Sequence, residues 1–430
     1  MRDAAVNAYL SGLRCTLCGA LYGIGDARTC TCPADGGNLD AVYDYAAISR
    51  DIDPRLIAAS PDRSVWHYAP LLPAIPADRT LPTPLASFGW SPLYRAPRLE
   101  STLGVRTIWL KDDTRLPSSS FKDRASSMVI ARAQELGAPI ICAASTGNAA
   151  SSLVTLCSGT ALRMVIFVPQ STPEGKLAQI LIHGARVYAV EGSYDDAFEL
   201  AMQASRAFGW YNRNTGVNAW TREGKKTAAY EICEQLAAGE GEGKRAETPA
   251  AFRAPDAVVV PVGDGNIISG LHKGFKDLYA LGWTSQVPRF VGVTASLAPA
   301  LYKAWQSGGE RLQTMPSITI ASGISVDLPR DGVMALRAVR ETGGIFVEAS
   351  DEEMLDAMGI LARDTGIFVE PASAAACVGL AKARQLGAIA PGDEVVLQMT
   401  GSGLKDVRSA LAAVAGRIRR IQGRLEEIEN

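Results

Sequence analysis

The chain has 430 residues, with 43 Lys and Arg against 45 Asp and Glu, and 47% of its residues are apolar. A near-zero net charge offers no electrostatic footprint for nucleic acid, and no run of 18 uninterrupted apolar residues occurs, so nucleic-acid binding and membrane insertion are both excluded as expectations. The length allows two or three domains around large cores, and a start without an apolar leader, MRDAAVNAYLSGLRC, fits a cytoplasmic protein.

Cysteine marks the first module. Cys15, Cys18, Cys30 and Cys32 crowd into residues 1–45, whereas Cys142, Cys157, Cys233 and Cys377 are scattered among apolar residues. In a reducing compartment the scattered thiols read as small core residues, and the cluster as a metal site rather than a disulfide framework. Residues 54–97, interrupted by Pro70, Pro73, Pro76, Pro82, Pro84 and Pro92, read as a connector. Seven short apolar runs follow, at 139–145, 163–169, 185–191, 256–263, 289–295, 344–350 and 394–400, each leading into a loop and a helical pattern. Near-continuous apolar strands alternating with helices predict a mostly parallel sheet covered on both faces. Residues 237–255, rich in Gly, Glu and Pro, read as an exposed loop, and Val407 to Ile428 as a charged amphipathic helix packed on the surface or against a second copy. His67, His183 and His272 stand apart from carboxylates and from each other in sequence, and read as structural or surface residues.

In such a sheet, ligands bind where strands end and helices begin. Four loops at these places carry side chains with chemistry. In Ser118-Ser119-Ser120-Phe121-Lys122-Asp123-Arg124, Ser120 and Asp123 have capping-box spacing, which puts Lys122 in a helical first turn. There the helix dipole lowers an ammonium's pKa, as a Schiff-base lysine requires. Ser145-Thr146-Gly147-Asn148 offers hydroxyls, an amide and N–H groups to an amino-acid carboxylate. Gly263-Asp264-Gly265-Asn266-Ile267 lets the backbone wrap a phosphate, although it matches neither the Walker A nor the GxGxxG pattern. Thr400-Gly401-Ser402-Gly403 ends a strand with a hydroxyl. Singly these are a solvated lysine and three turns. Together they suit a lysine and a phosphate-bearing aldehyde cofactor.

Seven phrases occur in order: TPL and SPLYRAPRL (83–99), KDDTRLPSSSFKDR (111–124), ASTGNAAS (144–151), EGKKTAAYEI (223–232), PVGDGNIISGLHKGF (261–275), GIFVEPASAA (366–375) and TGSGLKD (400–406). On these the chain, from Trp66 to Asp406, resembles the threonine synthases and their near relatives among the fold-type II, tryptophan-synthase-β-like pyridoxal 5'-phosphate (PLP) enzymes. The resemblance implies an α/β protein with two open, twisted, mostly parallel-sheet domains. A large PLP-binding domain would comprise residues 46–120 and 216–430, with a small one, 121–215, inserted in it and a zinc-ribbon-like module, 1–45, in front.

The resemblance also implies roles. Lys122 would form the Schiff base with the cofactor and then shuttle protons. Phe121 would contact the ring, Asn148 its phenolic oxygen and Thr400 the pyridine nitrogen, while Gly263, Asp264, Gly265, Asn266 and Ile267 would hold the phosphate. Ser145, Thr146 and Gly147 would grip the substrate carboxylate. The implied reaction eliminates phosphate from O-phosphohomoserine and adds water at C3 to give threonine, and a homodimer is the implied assembly. The chain departs from the family where the substrate phosphate should bind: Ala149 stands at a position commonly Thr, and Asn214-Thr215 would replace an Asn-Ser pair, leaving Arg222 and Lys225 as cations. The glycine loop is also one residue shorter. The competing expectations are PLP-dependent β-elimination or β-replacement on another amino acid, of the serine/threonine dehydratase, diaminopropionate ammonia-lyase or cysteine/cysteate synthase type, and a non-catalytic homologue. In relatives the ribbon carries two CxxC knuckles. Here the ligand set is Cys15, Cys18, Cys30 and Cys32, or else Cys15, Cys18, Cys32 and Asp35, closing a structural zinc site, or the ribbon packs without metal.

Overall fold

The computed structural model describes residues 7–24, 31–80, 83–172, 174–239, 250–419, 421–423 and 428. Thirteen strands among these form three sheets. β1 (Leu10–Cys15), β2 (Leu21–Tyr22) and β3 (Leu39–Tyr43) make a small antiparallel sheet in the order β2-β1-β3. β4 (Leu93–Arg95), β5 (Thr107–Asp112), β10 (Ala257–Pro261), β11 (Arg289–Ala295), β12 (Ile345–Ala349) and β13 (Glu394–Met399) form a six-stranded sheet ordered β12-β11-β10-β13-β5-β4. β6 (Ile140–Ala144), β7 (Arg163–Pro169), β8 (Arg186–Val190) and β9 (Tyr211–Asn212) form a four-stranded sheet ordered β8-β7-β6-β9. Every pairing in the two larger sheets is parallel except β4 with β5.

The parallel strands are apolar because helices cover them. All five residues of β10 are buried; helix Asn266–Ala280 follows it, and helix Pro371–Gln385 packs against β10, β11, β12 and β13. Two helices carry ordinary caps: Ser193 with Asp196, at the cavity wall, and Ser350 with Glu353 close reciprocal capping boxes. Helix Lys122–Glu135 crosses helix Trp220–Lys225 so closely that a Cβ on Gly224 would lie 1.8 Å from the Arg124 carbonyl oxygen. Beside that crossing lies a buried ionic cluster. Arg124 donates to Asp113 at 2.7 Å and to Glu231 at 2.8 Å, and Lys111 donates to the same Glu231 at 2.7 Å.

Three expectations are corrected. The Pro-rich stretch is no mere connector: a 3-10 helix, Val65–Leu71, sinks Trp66, Tyr68 and Leu71 into the main core. His67 is not isolated, since its Nε2 lies 2.9 Å from Glu234 Oε2 and its Nδ1 2.6 Å from the Ser64 carbonyl oxygen; Glu234 is 167 residues away and only folding brings it there. His272 likewise faces Glu341 at 3.6 Å. The tail helix spans only Val407–Ala413: Ala410 packs on the core, but Leu411 is 58% exposed, and Gly416 turns left-handed at φ 79°. Residues 420, 424–427, 429 and 430 of that tail, and 240–249 of the expected exposed loop, lie outside the described residues. The four scattered cysteines are buried.

Candidate active site

A cavity of about 900 Å³ opens at the carboxyl ends of β6, β10 and β13, lined from one side by 143–149 and from the other by 261–267 and by Thr400. Lys122, the first residue of its helix, reaches this cavity. Its pKa is lowered from the ordinary lysine value, first by burial, with Glu370 opposing and Arg213 reinforcing. Burial is thus the leading cause, where the helix dipole was expected. The expected capping box is absent as well. Phe121 occupies the cap position without a side-chain bond, the Ser120 hydroxyl pairs with that of Ser118 at 3.1 Å, and Asp123 accepts the Ser118 N–H at 2.7 Å. Burial raises the Asp123 carboxyl to about 6.

Phe121 is fully buried behind the cavity wall, with its N–H donating to the Thr400 carbonyl at 2.9 Å. Thr400 lines the cavity, its own N–H held by Ser373 Oγ at 2.9 Å. Ser145, Thr146 and Gly147 line the opposite wall; the Ser145 hydroxyl accepts the Gly147 N–H at 3.2 Å. They lead into helix Asn148–Cys157, whose first N–H groups have no intrahelical acceptor and are suited to a carboxylate. Asn148 is not free: its amide donates to Glu370 Oε1 at 3.0 Å and Oε2 at 3.1 Å.

The glycine loop forms a cradle that side chains could not enter. Gly265 is left-handed at φ 91°, and a Cβ there would meet the Asp331 carbonyl oxygen at 2.7 Å. Asp264 is pinned by the Arg330 N–H, which donates to its Oδ1 at 2.7 Å, and Asn266 donates to Asp331 Oδ2 at 2.9 Å. Lys225 Nζ donates to Asn266 Oδ1 at 2.6 Å, and burial first, then Lys122 and Arg213, hold its pKa well below the ordinary value.

Arg222 does not join this group. Its guanidinium is buried against Asp331, at 2.5 Å, and Asp40, at 2.8 Å, outside the cavity lining, because two carboxylates from distant segments claim it. Arg213 takes its place. It lines the cavity fully buried, donates to Thr215 Oγ1 at 2.7 Å and Ser126 Oγ at 3.2 Å, and keeps Nη2 without a partner among the described residues. Burial lowers its pKa to about 10. Asn214 lines the wall beside it, and its side-chain Oδ1 accepts the Ala144 N–H at 2.8 Å. Arg213 was overlooked in the sequence, although no acidic residue stands between Glu199 and Glu223 to neutralise it. Glu370 was overlooked inside a phrase that had been read for its family likeness alone.

In the N-terminal module the ligand atoms of Cys15, Cys18, Cys32 and Asp35 lie within 4.8 Å of one another. The Cys18 and Cys32 sulfurs are 3.8 Å apart, and Cys15 Sγ is 3.3 Å from Asp35 Oδ1. Cys30, in the other candidate set, lies outside the described residues.

A desolvated lysine facing an anion cradle and a hydroxyl, at the strand ends of an open parallel sheet, has the make-up of a fold-type II PLP enzyme. The side-chain-free glycine cradle and the amine of Lys122 suit that phosphorylated aldehyde. The family model for pyridoxal-phosphate dependent enzymes matches residues 85–401, and the chain belongs to that family. The threonine synthase of Methanocaldococcus jannaschii is 34% identical to it, covering 93% of this chain and 94% of that protein. The threonine synthase of Methanosarcina acetivorans is 35% identical, covering 93% of each. Among solved structures, the processed form of threonine deaminase isoform 2 from Solanum lycopersicum superposes with a TM-score of 0.64 at 21% identity, covering 76% of this chain and 88% of that one, a likeness of fold.

Proposed function

We propose that the protein is a PLP-dependent lyase of the threonine synthase type, converting O-phosphohomoserine and water to threonine and inorganic phosphate. The observation that carries this reading beyond the relatives' names is Arg213, a fully buried guanidinium with an unpaired Nη2 on the cavity wall, beside Lys225. An unneutralised buried cation is costly unless an anion arrives to pair with it, and a phosphorylated substrate brings one.

PLP, when bound, supplies an electron sink that acidifies the carbons near the substrate amine. Lys122 would bond its aldehyde, Asn148 and Thr400 would meet the ring, and the N–H groups of Gly263 to Ile267 would hold its phosphate. Ser145, Thr146, Gly147 and the N-terminus of helix Asn148–Cys157 receive the substrate carboxylate. With its pKa lowered by burial, Lys122 Nζ can both take a proton from the substrate carbons and return it at neutral pH. As the Cγ–O bond breaks, phosphate leaves toward Arg213 and Lys225. Water then gives OH to Cβ and its other proton to the departing phosphate, and the two protons taken from Cα and Cβ are returned to Cα and Cγ to complete threonine.

The same reading takes Cys15, Cys18, Cys32 and Asp35 as ligands of a structural zinc ion. Metal–sulfur bonds of about 2.3 Å in a tetrahedron set sulfurs roughly 3.8 Å apart, the separation of Cys18 and Cys32. A cytoplasmic homodimer completes the reading; exposed Leu411 and Ile418 near the C-terminus are supporting apolar surface, and light scattering measures the assembly. No helix among the described residues is long and apolar enough to cross a membrane.

The test is a substrate screen of the purified enzyme that follows phosphate, ammonia and keto acid together. Phosphate and threonine released in equal amounts from O-phosphohomoserine support the proposal. Ammonia and keto acid from hydroxy amino acids, with no phosphate release, overturn it in favour of a dehydratase.

A further inference from the structure

A continuous set of hydrogen bonds joins the cysteine module to the phosphate cradle. Within the module, Asp35 Oδ1 accepts the Gly37 N–H at 2.8 Å, and the Asn38 carbonyl accepts the Thr16 N–H at 2.9 Å. Gly37 has no spare room, since a Cβ there would lie 2.8 Å from Cys15 Sγ. The turn that carries Asn38 is thus packed on the candidate metal ligands. The Asn38 side chain then leaves the module, donating to the Arg330 carbonyl at 2.8 Å and to Asp331 Oδ1 at 3.0 Å.

Arg330 and Asp331 hold the cradle. The Arg330 N–H donates to Asp264 Oδ1 at 2.7 Å, the Asp331 N–H to the Asp264 carbonyl at 3.0 Å, and Asn266 and Ser269 donate to Asp331 Oδ2 at 2.9 and 2.5 Å. Asp40, in the module's own strand β3, adds a second tie by accepting from Arg222 at 2.8 Å and from Lys273 at 3.0 Å, and Arg222 itself grips Asp331.

We propose that the module is a positioning device for the cofactor's phosphate cradle, with Asn38 as the positioning residue, and that a cation on Cys15, Cys18, Cys32 and Asp35 tightens cofactor binding by fixing the turn that carries Asn38. The proposal rests on the cofactor and metal readings given above. Without a cation, nothing bonds the three thiols to the carboxylate, and the turn packed on them loses that anchor. Asn38 then loses its register on Asp331, and Asp264 and Asn266 lose theirs.

The experiment compares the full-length wild type with Asn38→Ala and Asn38→Asp, measuring metal content by elemental analysis, the PLP dissociation constant by absorbance titration of cofactor-stripped protein, and the unfolding midpoint of that stripped protein. Asn38→Ala is expected to weaken PLP binding roughly tenfold, the scale of one hydrogen bond to a charged group, with metal content and stripped-protein midpoint close to wild type. Asn38→Asp, which sets a carboxylate against Asp331, is expected to weaken it further. Removing the metal from wild type with a chelator is expected to weaken PLP binding comparably and to add little in Asn38→Ala, since both act through one turn. If both variants bind PLP within twofold of wild type, or if the loss follows a general fall in the stripped-protein midpoint, the positioning role is wrong. A wild type that purifies and reconstitutes without metal, yet shows the Asn38 effects, removes the metal from the proposal and retains the rest. A wild type that binds no PLP overturns the cofactor reading and this proposal with it.

Discussion

Asn148 directs its side-chain amide at both carboxylate oxygens of Glu370, 3.0 and 3.1 Å away, joining the start of one helix to a residue 222 positions further along the chain. Glu370 is buried, and burial raises its pKa although Asn148, Lys122 and Lys405 all oppose the rise. A Cβ on Gly401 would lie 2.4 Å from Glu370 Oε1, so the carboxylate sits in the space that a glycine leaves open. Glu370 therefore sets the direction in which Asn148 faces the cavity.

Glu370→Ala is expected to lower kcat about 10- to 100-fold, the value of a hydrogen bond to a charged group. Glu370→Gln, which keeps an acceptor oxygen, should lose much less. Steady-state kinetics on both variants check this; equal losses in the two would show that the negative charge matters, and not the orientation of Asn148.

Lys122 must be a neutral amine to bond an aldehyde, and its pKa is lowered first by burial. The rate of cofactor uptake by stripped protein is expected to rise with pH and to level off below the ordinary lysine range. Lys122→Ala should abolish both activity and the visible absorption of the bound cofactor. Stopped-flow absorbance from pH 6 to pH 10 reads the first, and a spectrum of the purified variant the second.

Asp123 is fully buried, and its carboxyl is raised to about 6. A carboxyl whose folded pKa exceeds its unfolded value contributes stability that is fully present below the unfolded value, near 4, and lost as pH rises through about 6. Asp123→Asn, which keeps an acceptor for the Ser118 N–H, is expected to stabilise the protein at pH 8 by about 2–3 kcal/mol and to do little at pH 4. Denaturant titrations at the two pH values give the difference directly.

Gly224→Ala would force a methyl to 1.8 Å from the Arg124 carbonyl oxygen, backbone against side chain, with no flexible group to yield. It should cost about 3 kcal/mol or more and separate helix Trp220–Lys225 from helix Lys122–Glu135. Since these helices carry Lys225 and Lys122, cofactor affinity should fall with stability. Gly239→Ala, where a Cβ meets nothing within 4 Å, is the control, costing only the strain of φ 85°.

Local pattern was enough for much of this protein. The apolar runs predicted at 163–169 and 289–295 are strands β7 and β11 with the same bounds, because a parallel strand buried on both faces must be apolar throughout. Three of the four loops, Ser145 to Asn148, Gly263 to Ile267 and Thr400, were legible for the same reason: glycine and hydroxyl residues after such a run mark the place where a strand ends; the Lys122 loop was legible from its own Ser-Phe-Lys-Asp pattern. Folding brings them around one cavity. β5, Thr107–Asp112, passed unnoticed because Lys111 and Asp112 break its apolar run, and their burial depends on Glu231 and Thr114 as partners.

Tertiary structure decided which charges act. Arg222 and Arg213 look alike in sequence, nine residues apart, yet Arg222 is neutralised by Asp331 and Asp40 while Arg213 reaches the cavity with Nη2 unpaired among the described residues. The same holds for the cysteine module, where Asp35 rather than a fourth described thiol completes the cluster, and Asn38 links it to Asp331, 293 residues away. Hydropathy and turn chemistry act over a few neighbours and can be read in order along a chain. The partner of a buried charge is chosen by packing between segments hundreds of residues apart, and that choice exists only in the folded molecule.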